Sequence, residues 1–181
     1  MKIEIRNAQI GDVEIVAWTV LTALDMEADN MDKFIKSCSE DDSIYSWRNS
    51  IVAVADDKPV GCLVAYDGSR YRELREKSWL NLWDSMDPEC LKTTEAETKD
   101  GEFYLDSMAI LPGYRGLNIG KMLIEFAINK GKCLGCEYAT LLVDIDKPRL
   151  EAYYHSAGFE RFDEMEYFGR KYNRMRYGII Y

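Results

Sequence analysis

The segment LPGYRGLNIGK, residues 111–121, places three glycines, Arg115 and Lys121 between an apolar alternating run and a helical pattern. A glycine-rich loop that opens a helix exposes backbone N–H groups at the positive end of the helix dipole, where phosphate oxygens can be held. Arg115 and Lys121 add cations there, so the chemistry to expect is the binding of a phosphate-bearing ligand. The bland alternative is a turn used only for chain reversal. Two familiar phosphate loops can be tested letter by letter. A P-loop, G-x-x-x-x-G-K-[ST], finds Gly120 and Lys121 in place, but Arg115 stands at the first glycine and Met122 at the hydroxyl that would ligate magnesium. A dinucleotide fingerprint needs glycines at i, i+2 and i+5, whereas Gly113, Gly116 and Gly120 are three and four residues apart.

Other chemistries find less support. Cys38, Cys62 and Cys90 are scattered singly, Cys133 and Cys136 form a lone CxxC, and His155 is the only histidine, so no second ligand pair completes a zinc site and no metal is expected. The CxxC follows a helical pattern rather than opening one, which favours reduced, buried thiols over a redox motif. A formal net charge of −9 argues against nucleic acid as a partner and leans towards a cationic one, although acidity can also serve solubility alone. No apolar run is long enough to span a membrane, and strand-like KIEIR follows the first methionine directly, so a cytoplasmic location is expected.

The elements that must position the loop follow from periodicity. KIEIR alternates as a strand does, and Val13, Val16, Ala17, Val20, Leu21 and Leu24 then recur at helical spacing. A second, less regular helical region runs from about Asn30 to Trp47. IVAVA and PVGCLVAY, parted by Asp56, Asp57 and Lys58, read as a hairpin, and EFYLDSMAI is the next strand. Between those strands the segment from about Ser69 to Gly101 is far longer than an ordinary connection. Within it Tyr71, Leu74, Ser78, Leu82 and Met86 lie at helical spacing beside Trp79 and Trp83, either as a helix packed on the core or as a lid on the site, while KTTEAETKDGE reads as a loop.

After the glycine loop, Ile119, Met122, Leu123, Phe126, Ala127 and Lys130 form one helical face, and EYATLLVDI is a mostly apolar, buried strand. Leu150, Tyr153, Tyr154 and Ala157 mark another helix, with Pro148 suited to its first turn and Gly158 to its end. The tail forms two strands joined around Gly169. The expected fold is one α/β domain over residues 1–181: a mixed, mostly antiparallel sheet of six to seven strands flanked by helices, with a helical insertion before the fourth strand.

SMAILPGYRGLNIGKMLIEFA, LGCEYATLLVD and EAYYHSAGF occur in that order, and the chain resembles the GNAT superfamily of N-acetyltransferases from end to end. Arg115 to Gly120 is similar to that family's acyl-CoA loop, [RQ]-x-x-G-x-[GA], with Asn118 in place of the first motif glycine. Asn tolerates a left-handed backbone better than other residues with a Cβ. The resemblance implies acetyl-CoA as cosubstrate. The backbone of Met108, Ala109 and Ile110 would pair with the pantetheine arm, and the amides of Arg115, Gly116, Leu117, Asn118, Ile119, Gly120 and Lys121 would hold the pyrophosphate. Lys147, where the family often has an asparagine, would either meet a CoA phosphate or stand exposed at a helix start.

The implied reaction is acetyl transfer to a primary amine of a small molecule or peptide by direct attack in a ternary complex. Such an amine is mostly protonated at neutral pH, so a base must take its proton. Asp106, on the strand before the loop and by alternation on the face of Tyr104 and Met108, sits where the family often carries that base; Glu102 shares the face further from the loop. Tyr154 stands at the family's usual general-acid tyrosine, with Tyr153 in the neighbouring aromatic place. Asp106 could equally be a structural hydrogen-bonding group and Tyr154 a core residue. Acidic residues between Asp25 and Asp32 would favour an amine or polyamine, or simply solvate a helix end. A non-catalytic acyl-CoA binding or sensing module is the competing function, and the chain could work alone or as a homodimer.

Overall fold

Asp56 and Asp57 both take positive φ (45° and 67°), as a two-residue hairpin turn demands, and so join β2 (Ser50–Ala55) to β3 (Lys58–Asp67). At the other end of the chain Phe168 and Gly169, again both left-handed, join β6 (Glu160–Tyr167) to β7 (Arg170–Gly178). With β1 (Ile3–Asn7), β4 (Glu102–Ile110) and β5 (Tyr138–Asp144) these strands form a seven-stranded sheet in the order β1-β2-β3-β4-β5-β7-β6. All neighbours are antiparallel except β4 and β5, the parallel pair that the intervening helix connects. The computed structural model describes residues 1–83 and 87–179, so Met86 lies outside the described residues.

Helices cover both faces. On one lie α1 (Val13–Ala23), α2 (Met31–Ser39), α3 (Tyr71–Leu82) and α4 (Pro88–Thr93), whose apolar side chains pack with Val52, Cys62, Val64 and Tyr66. On the other lie α5 (Ile119–Cys133) and α6 (Pro148–Ser156), packed on Ile51, Leu63, Phe103 and Leu105. Pro148 is in the first turn of α6, and Gly158, at φ 92°, ends it.

Two expectations need correction. The second helix stops at Ser39 rather than running to Trp47, because the SEDDS stretch that follows has no apolar stripe and its serine hydroxyls bond locally. Ser43 Oγ lies 2.7 Å from Ser37 Oγ and accepts from the Tyr45 amide. The cysteines are all free, yet within the CxxC Cys133 is exposed rather than buried, whereas burial raises the Cys136 thiol to about 11.

The long insertion is a packed part of the molecule. Tyr71, Leu74, Trp79 and Leu82 of α3 are buried in the first core, and Ser78 Oγ accepts from the Ile44 amide. Arg75, almost wholly buried, donates to the carbonyls of Leu91, Thr94 and Glu95, which closes the end of α4 and ties it to α3.

Candidate active site

The sheet opens where β4 and β5 part. Their register holds only from Glu102↔Tyr138 to Tyr104↔Thr140, although β4 continues to Ile110 and β5 to Asp144. On its other side β4 stays paired with β3 along its length, with one irregularity. The register passes from Ala65↔Leu105 to Val64↔Ser107 and leaves Asp106 as the extra residue of a bulge.

That bulge corrects the alternation expected from sequence. Tyr104 and the Asp106 carboxylate face the first core, but Met108 packs in the second core with Phe103 and Leu105. One inserted residue exchanges the two faces beyond it. It also decides which backbone groups face the opening. The Leu111 amide donates to Val60 and the Ala109 carbonyl lies against Gly61, so both point towards β3. The N–H and C=O groups of Met108 and Ile110 therefore point the other way, where β5 has left the sheet, and Arg115 Nε donates to the Ile110 carbonyl (3.1 Å) on that side.

A cleft of about 450 Å³ occupies this opening. Met108, Ala109 and Ile110 form one wall, Arg115, Gly116, Asn118, Ile119 and Gly120 the start of α5, and Thr22 and Tyr153 its remaining sides. Asn118 takes φ 64° at the mouth of the helix and so keeps the left-handed turn that a glycine would give. Among the described residues, no protein oxygen accepts from the amides of Gly116 to Lys121. Free N–H groups, about half a positive charge from the helix dipole and the Arg115 cation thus converge on one wall, which is the chemistry of an anion site.

Three of the residues read from sequence as cofactor-binding do not line the cleft. Leu117 is exposed at the loop's tip, Lys121 is half-buried one position further on, and the Lys147 ammonium lies 3.3 Å from the Asp25 carboxylate, bridging the start of α6 to the end of α1. Of the two tyrosines on α6, Tyr153 lines the cleft, and its hydroxyl would stand 2.4 Å from a Cβ added to Gly120. Tyr154 packs against the rings of Tyr153 (5.4 Å) and Phe159 (5.9 Å), and burial raises its phenol.

Asp106 is half-buried, its carboxylate accepting from Tyr66 Oη (2.7 Å) and Ser107 Oγ (2.7 Å). Burial, reinforced by the negative charge of Glu97, raises its carboxyl to about 7 against the pull of those two hydroxyls. A carboxyl poised there can exchange protons at neutral pH. Glu102, by contrast, is buried and accepts from Thr98, Thr140 and Arg174, a set of partners that makes it structural. Sequence reading missed Tyr66, Ser107, Glu97 and the cleft-lining role of Tyr153. The only signal for Tyr66 was its alternation along β3. Among the described residues, no cluster of His, Cys, Asp and Glu suited to a metal is present.

A sheet split between its one parallel pair, a bulge on the inner strand and a glycine-rich helix start beside it together form a cleft with an anion-binding wall and a free strand edge. The model of the Acetyltransferase (GNAT) family matches residues 18–159, and the chain belongs to that family. No curated protein matches the sequence. The fold is similar to that of a solved acetyltransferase, at 23% identity over 98% of this chain and 100% of that one with a TM-score of 0.78. It is also similar to an N-acetyltransferase from Staphylococcus aureus Mu50 (22% identity, 96% and 100% covered, TM-score 0.80). A third likeness is to the PaiA N-acetyltransferase from Thermoplasma acidophilum, solved in complex with coenzyme A (16% identity, 98% and 99% covered, TM-score 0.62).

Proposed function

We propose that the chain transfers the acetyl group of acetyl-CoA to a primary amine of a small molecule or peptide, by direct attack in a ternary complex. The observation that carries this reading is the wall of unsatisfied amides from Gly116 to Lys121 beside the unpaired edge of β4. The amides, with Arg115 and Lys121, would hold the diphosphate, and the outward N–H and C=O groups of Met108 and Ile110 would bond the amide-bearing pantetheine arm. Bound acetyl-CoA supplies the thioester that the amine attacks.

Asp106 removes the ammonium proton of the acceptor, directly or through water, and Tyr154 returns a proton to the departing sulfur. A phenol whose pKa is raised by burial stays protonated up to high pH and is therefore a donor throughout the working range. The helices between β3 and β4 border the acceptor side, where Trp79 and Trp83 stack edge to face (5.2 Å) and Trp79 meets Phe168 at the β6–β7 tip (5.6 Å). We place the reaction in the cytoplasm, where five free cysteines would stay reduced.

The test is a thiol-release screen of acetyl-CoA and longer acyl-CoAs against amines, amino acids, aminoglycosides and peptides. Turnover on an amine supports the reading. CoA binding without turnover on any of them would favour a binding or sensing module instead.

A further inference from the structure

Glu97 lies in the loop between α4 and β4, far in sequence from the glycine loop, yet its side chain is held firmly. One carboxylate oxygen accepts from Tyr71 Oη of α3 and the other from Tyr104 Oη of β4, each at 2.6 Å. Arg75, anchored on the carbonyls of Leu91, Thr94 and Glu95, fixes the chain just ahead of it. Tyr71 and Tyr104 pack with Tyr66, the donor to Asp106, in a triangle of rings with centroids 5.8 to 6.4 Å apart. We propose that Glu97 is a positioning residue for the transfer reaction, acting on Asp106 through the charge it holds across this tyrosine-filled chamber.

The Arg75 guanidinium borders the chamber, 5.0 Å over the Tyr71 ring, but among the described residues neither Glu97 nor Asp106 forms an ion pair. The groups that interact with Asp106 are Tyr66 from β3, Tyr104 and Ser107 from β4, Tyr45 from the segment before β2, and Glu97 itself, while Tyr71 from α3 and Tyr167 from β6 stand beside Glu97. Burial raises the five phenols, so they remain neutral. Arg75 is directed at the three carbonyls and, at 3.4 Å, at the Tyr167 hydroxyl, while Glu102 on the same strand is matched by Arg174. Asp106 and Glu97 thus bond only neutral hydroxyls, and the negative charge of Glu97 opposes ionisation of Asp106. A carboxylate needed only to satisfy two phenols could be an amide; a negative charge is needed only if its field matters.

The role assigned to Glu97 rests on Asp106 being the base, and two measurements separate the failure of one from the failure of the other. The first is the pH profile of kcat/KM with the best acceptor from the thiol-release screen. The second is the titration of the Asp106 carboxyl by carbon NMR in acceptor-free protein. Glu97→Gln, nearly isosteric and able to keep both tyrosine contacts, should move the acid limb and the carboxyl titration together to lower pH, on the order of one unit. Glu97→Asp, which keeps the charge, should restore most of the wild-type profile. Glu97→Ala, which removes the charge without supplying an amide, should shift both in the same direction and serves if Glu97→Gln does not fold. A carboxyl that titrates unchanged in the folded variant overturns the proposal alone. One that shifts while the rate profile stays fixed overturns the base assignment and the role of Glu97 with it.

Discussion

At Gly120 a single methyl group meets one movable neighbour. A Cβ built there stands 2.4 Å from the Tyr153 hydroxyl oxygen, 3.4 Å from its Cζ and 3.5 Å from Ile110 Cδ1. Ordinary contact needs roughly 3.5 Å, so the Tyr153 ring must swing until its hydroxyl has retreated by about 1 Å, while Ile110 holds its place. Only one side chain moves. Alanine also suits a helix better than glycine, by up to ~1 kcal/mol, so Gly120→Ala should melt within a few degrees of the wild type. Its effect falls on the ligand, because the methyl stands among the free amides of the first turn of α5. Losing one charge-assisted bond to a phosphate corresponds to ~1.5–3 kcal/mol, a ten- to hundredfold weaker Kd for CoA.

Calorimetric titration with CoA measures this directly. Tyr153→Phe removes the atom that the methyl strikes, so the double variant separates two causes. If the displaced hydroxyl were responsible, Gly120→Ala/Tyr153→Phe would bind no worse than Tyr153→Phe alone; if the methyl screens the amides, the weakening should persist in the double variant. Unchanged affinity in folded Gly120→Ala would refute the assignment of this helix start to the diphosphate.

Asp106→Asn should lose the acid limb near pH 7 from kcat/KM, since a base works only when ionised and its activity is present above its pKa and lost below; a limb that survives assigns it to another group. Tyr154→Phe should lower kcat by ~10²–10⁴ with CoA affinity nearly unchanged, and wild-type kcat where chemistry limits the rate would make Tyr154 a core residue. Replacing Trp83 by leucine should alter the acceptor KM more than the acetyl-CoA KM, and equal effects would count against an acceptor site bordered by α3. Burial alone would raise the Asp12 carboxyl, but the Arg6 guanidinium (2.7 and 3.1 Å) and the Gln9 amide (2.7 Å) outweigh it and hold it below its usual range. The stability this contributes is complete above the ordinary carboxylate range and lost as pH falls through the lower folded value. Asp12→Asn should therefore flatten the acid side of the stability curve below about pH 4, as seen by denaturant melts across pH.

The sequence exposed what is local and periodic. The glycine loop, its helix, the two hairpins and the apolar strand β5 each carry their own signal in spacing and turn residues, and their bounds came out within a residue or two. Asn118 was readable for the same reason, since αL tolerance belongs to the residue itself. Contacts made across the sheet were not legible. Glu97 sits in a polar, non-periodic stretch, and only the fold brings it to Tyr71 and Tyr104. The cleft-lining role fell to Tyr153 rather than Tyr154 because adjacent residues on a helix diverge by about 100°, and the motif does not state which ring faces the opening.

The bulge at Asp106 was invisible to alternation because nothing in EFYLDSMAI marks an extra residue, yet it joins the two halves of the chemistry. Without it, strict alternation would put Met108 on the face of Tyr104 and Asp106, among the tyrosines of the first core. With it, Asp106 turns towards Tyr66 on one face while Met108 and Ile110 pack beneath α5 on the other, and their backbone groups meet the gap left by β5. On the proposed reading, a base for the amine and a free strand edge for the cosubstrate would thus come from neighbouring residues of one strand. A regular strand could offer the same edge, but it would present the side chains after Asp106 on exchanged faces. Shortening β4 by one residue at the bulge should for that reason disturb the cosubstrate side and the proton-accepting side together, whereas point changes on either face should affect one alone.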